Sequence, residues 1–76
     1  MADADHKLLL GVKEDINAGK YQDALDKLSS LGHALQIVEA FHQLKHCLTK
    51  LISNEQMPKY KPEANKWLQV LLDATV

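Results

Sequence analysis

The chain has 76 residues, with ten acidic residues against nine lysines, no arginine and a formal net charge of −1. That length allows one domain, residues 1–76, with a single modest core, because a chain this short buries only roughly 60–65% of its unfolded surface. Without a basic excess or a guanidinium fork to grip phosphate or guanine, direct nucleic-acid binding is not expected; one cysteine excludes an internal disulfide scaffold.

In chain order, the apolar residues recur with a helical period and nowhere alternate over strand length. The longest unbroken apolar run, Leu8-Leu9-Leu10, is too short for a signal-peptide core or a membrane span. Leu9, Val12 and Ile16 share one face of a first helix, and Asp3 and Asp5 favour its positive end. Asn17-Ala18-Gly19 predicts its stop, with Gly19 suited to the left-handed position just past a helix. Tyr21, Ala24, Leu25, Leu28 and Leu31 make the next stripe, and Gly32 is expected to break or bend the chain. Ala34, Ile37, Val38, Phe41, Leu44, Leu48, Leu51 and Ile52 then share a broad face, with His42 at its edge and His46 outside it. Periodicity alone leaves open whether residues 33–53 form one helix or two with a kink near Phe41–His42. Ser53-Asn54-Glu55-Gln56 predicts a loop, and Pro62 reads as the first residue of a last helix buried through Ala64, Trp67, Leu68, Leu71 and Leu72. The fold class is therefore all-α, a compact bundle of four or five helices leaning antiparallel.

Few residues promise chemistry. His42 and His46 stand at i, i+4, which puts two imidazoles on one helical face as metal sites require. No third ligand is indicated, since Cys47 lies about 100° further round the helix. They are weak metal candidates, more simply read as solvated edge histidines. Cys47 on a helix interior fits a small buried apolar residue better than a nucleophile. Glu14-Asp15 has nothing around it to raise a carboxyl pKa, and the three glycines are too isolated to cradle a phosphate. No enzyme activity and no cofactor are expected. Gly19-x-Tyr21-x-x-Ala24-Leu25 is similar to the turn of a tetratricopeptide repeat. The absence of a second copy makes it the turn of an ordinary helical hairpin.

Ala24-Leu25-Asp26-x-Leu28-x-Ser30-Leu31, then Leu44, Leu48-Thr49-Lys50-Leu51, and finally Ala64 and Trp67-Leu68 resemble in order and spacing the TFIIS N-terminal domain-like family, which includes integrase-binding domains. The resemblance implies a helical bundle that docks short, disordered, acidic-aromatic motifs of transcription regulators in the nucleus. In the family, the docking surface joins the turn after the first helix to the loop before the last. Carried over, Ile16 and Asn17 occupy the first turn, where an isoleucine–aspartate pair stands in the family's best-known member. Lys50 matches a family lysine. Asn54 replaces an expected aromatic, leaving Ile52 and Met57 as the nearest apolar anchors.

The residues themselves allow the same idea, because two adjacent interhelical loops can frame a shallow apolar cleft. Ile16, Ile52 and Met57 would line it, with Lys50 and Lys59 at its rim, where residues 43–66 hold five lysines against two acids. The bland alternatives are that those apolar residues close off the core, Ile52 most of all, and that the lysines only keep the helices soluble. The expectation is a monomeric protein–protein interaction module without a membrane partner, nuclear or alternatively cytoplasmic. The alternatives are a self-associating helical subunit or adaptor, and a bundle that binds metal through His42 and His46.

Overall fold

The link between the first two helices is short enough to force them against each other. The computed structural model describes residues 3–31, 37–53 and 58–74, and these form four helices: α1 (Asp3–Ala18), α2 (Tyr21–Leu31), α3 (Val38–Ser53) and α4 (Tyr60–Ala74). Only Gly19 and Lys20 separate α1 from α2, so α2 must turn back along α1. Lys27 of α2 shows the register: its stem crosses Gly11, and its ammonium pairs with the Asp15 carboxylate of α1. That bond to Asp15 holds the Lys27 pKa above its ordinary value, against a smaller desolvation effect. α3 packs most extensively on α4, as α1 does on α2, and contacts of α2 with α3 and α1 with α4 close the ring.

The core lies at the centre of that ring. Leu9, Val12 and Ile16 of α1 meet Ala24, Leu28 and Leu31 of α2, Ala40, Leu44, Cys47, Leu48 and Leu51 of α3, and Ala64, Leu68, Leu71 and Leu72 of α4. Each set follows the three-and-four spacing of one helical face, so the expected all-α bundle is what forms. Tyr21, Leu25, Phe41, Tyr60 and Trp67 are half-buried at its margin. Lysines lie over three aromatic rings, Lys45 on Phe41 at 5.6 Å, Lys59 on Tyr60 at 5.2 Å and Lys66 on Trp67 at 5.1 Å. Their stems cover the apolar edge while their charges stay in water. Among the described residues no buried side-chain nitrogen or oxygen lacks a partner. None of the helices described is long and apolar enough to cross a membrane.

Two details differ from the sequence expectation, and between them stands one point that periodicity left open. The face of α3 is rotated: Ala40 is buried beside Cys47, the latter as expected, whereas Val38, assigned to that face, is 57% exposed. Along an ideal helix Ala40, Leu44, Cys47, Leu48 and Leu51 span about 100°, and Val38 falls some 80° outside that arc. Over Val38–Ser53 the helix continues through Phe41–His42 without interruption. Last, α4 begins at Tyr60, which puts Pro62 third in the helix. A proline is tolerated there because the first four amides have no intrahelical acceptor. The break expected at Gly32, the contribution of Ala34 and the loop residues Asn54–Gln56 lie outside the described residues.

Candidate functional site

The turn from α1 to α2 is a Schellman closure. Gly19 has φ of +78°, the amide of Gly19 donates to the Ile16 carbonyl at 3.2 Å, and that of Lys20 donates to the Asp15 carbonyl at 2.7 Å. These are the 5→2 and 6→1 bonds that satisfy the last carbonyls of a helix, and glycine adopts the required backbone without a Cβ penalty. The Lys20 carbonyl at once accepts from the Ala24 amide at 3.1 Å, so one residue separates the glycine from the first turn of the next helix. Lys20 therefore occupies the N-cap of α2, a position whose usual side chains supply an acceptor that lysine lacks. The amides at the start of α2 have no partner inside the helix, and its positive dipole end points into this region of the surface.

Across from that turn stands Ile52, in the last turn of α3 and half-buried. It lies about 95° round α3 from the centre of the buried seam, which turns it towards α2. Gly19, Lys20, Tyr21, Gln22, Asp23 and Ile52 line a cleft of about 230 Å³. Ile52 and Tyr21 supply its apolar lining, and its polar wall carries a cation, an amide and a carboxylate. It can accept one large side chain and offer donors beside it.

The residues expected at a docking surface are only partly brought together. Ile52 lines the cleft. Ile16 does not: it is fully buried in the core, so it supports the turn from below and offers nothing to a partner. This sets aside Ile16 as a lining residue of the cleft in favour of the alternative that it closes off the core, because it stands on the same face of α1 as Leu9 and Val12. Asn17 is exposed two residues before the glycine, and Lys59 is exposed just before α4. Lys50 is exposed too, but it stands about 160° round α3 from Ile52 and is not part of the cleft wall. Asn54 and Met57 lie outside the described residues. Lys20, Tyr21, Gln22 and Asp23 were missed as site residues. Their signal was the Gly-x-Tyr turn, which marks a hairpin but gives no hint that α3 ends beside it.

The other candidates are far from this cleft in character. His42 and His46 are both exposed on α3, and the His42 ring meets Phe41 edge-on with centroids 6.2 Å apart. Among the described residues no three histidine, cysteine or acidic side chains gather as a metal site. Cys47 is buried, with Sγ 3.9 Å from Glu63 Oε2. Burial pushes its thiol pKa above the ordinary value, and the charge and hydrogen-bonding of Glu63 push the same way. The reactive thiolate is thus disfavoured, and the residue serves as a small core side chain.

Comparison of the chain with protein-family models, curated proteins and solved structures returned no match.

Proposed function

We propose that this bundle is a protein–protein interaction module that docks a short, disordered acidic-aromatic peptide in the cleft between the α1–α2 turn and the end of α3. The single observation that carries this reading is that cleft of about 230 Å³, lined by Ile52 together with Tyr21 and the first turn of α2. An aromatic side chain of the peptide fills the apolar wall, where a buried anchor contributes most of the binding free energy. A carboxylate next to the anchor lies by Lys20 and the amino end of α2, gaining charge attraction and faster association. Asp23, on the same wall, repels an acid placed on its side and so fixes the direction in which the peptide runs. The resemblance to the TFIIS N-terminal domain-like family supports the remainder of the proposal, a partner among transcription regulators and a nuclear site of action.

Calorimetric titration with a synthetic peptide carrying one phenylalanine flanked by acids tests the surface. Ile52→Glu is expected to weaken binding at least about tenfold, the equivalent of about 1.4 kcal/mol, with the helical circular dichroism kept. Lys20→Glu lowers affinity mainly through slower association and flattens the salt dependence, whereas Lys50→Glu changes little. Equal affinity for the Ile52→Glu protein and the parent sinks this surface.

A further inference from the structure

We infer that the outer face of α3 carries a bidentate chelating site for a divalent transition-metal ion, formed by the imidazoles of His42 and His46. Both residues are exposed, and both belong to the uninterrupted helix Val38–Ser53. That continuity is what the chelate needs. Four residues apart on one helix, the two side chains stand about 40° apart in projection and about 6 Å apart along the axis. Two imidazoles on adjacent turns of one helical face can close on a single ion. The His42 ring rests edge-on against Phe41, on the side away from His46, so it turns about its side-chain bonds to close the chelate.

The donor set decides the ion. Imidazole nitrogens suit zinc, copper and nickel, while calcium and magnesium demand oxygen ligands. Glu39 stands one turn before His42 and is also exposed, yet no third side chain joins the pair into a larger group among the described residues. Water therefore completes the coordination, and the ion keeps exchangeable positions at the protein surface. Because the spacing exists only while α3 is helical, the ion binds the folded chain more tightly than the unfolded one and raises its stability.

The test titrates the full chain with zinc(II), nickel(II) and copper(II) salts separately. Zinc is followed by the imidazole resonances, and all three ions by thermal melting. The expected result is joint movement of the His42 and His46 signals to a one-to-one end point, a higher melting temperature, and tighter binding of copper than of nickel or zinc. His42→Gln and His46→Gln each weaken binding at least about tenfold, while Glu39→Gln alters it by no more than about threefold. These surface glutamines leave the core untouched, so each variant folds. Undiminished affinity in the double variant, first shifts at His6, or no response to any of the three ions at millimolar concentration overturns the site.

Discussion

Gly19 and Gly11 carry opposite constraints. Nothing lies within 4 Å of the place a Cβ would take at Gly19, but its φ of +78° is one that other residues adopt at a cost of roughly 1–2 kcal/mol. Gly19→Ala is therefore expected to destabilise the fold by about 1 kcal/mol in urea unfolding, with the cleft beside it loosened. A stability equal to the parent's contradicts the Schellman closure. At Gly11 the backbone is ordinary helix and the constraint is a neighbour: an added Cβ would meet Lys27 Cδ at 3.2 Å and Cε at 3.3 Å. Alanine would gain about 1 kcal/mol in helix propensity and lose part of that in displacing the stem that carries Lys27 to Asp15. The role of Gly19 was legible from its place after Asn17-Ala18. That of Gly11 was not, because the packing of Lys27 across it exists only once α2 folds back.

At the scale of elements, α1, α2 and most of α4 were legible because their stripes consist of large aliphatic residues at helical spacing. α3 was misread by rotation. Cys47 is buried as expected, but Ala40 was left off the face and Val38 put on it, because a small side chain is buried where two helices approach closely. Valine is left outside when its angle falls beyond the seam. This rotation has a direct consequence. Leu44, fully buried, is expected to cost about 2–5 kcal/mol on Leu44→Ala, whereas Val38→Ala, at a residue 57% exposed, stays within about 0.5 kcal/mol. Comparable losses in the two variants, measured by denaturant unfolding, would mean that α3 packs through a different face.

At the scale of the molecule, the ring order of the helices brings the amino end of α2 beside the carboxyl end of α3, and that juxtaposition makes the cleft. Its two sides are some thirty residues apart in the chain, so no local pattern could join Ile52 to Tyr21. What the sequence did suggest was the end of the bundle at which this cleft lies, through the turn after α1, but with Ile16 in place of the Lys20–Asp23 turn. The most direct measurement is a proton–nitrogen NMR titration of the labelled chain with a phenylalanine-containing acidic peptide. Peptide docking requires that the largest shifts fall on Gly19–Asp23 and Ile52, with the core amides of Leu44 and Leu68 unmoved. Shifts centred on another face, or none at millimolar peptide, would contradict it.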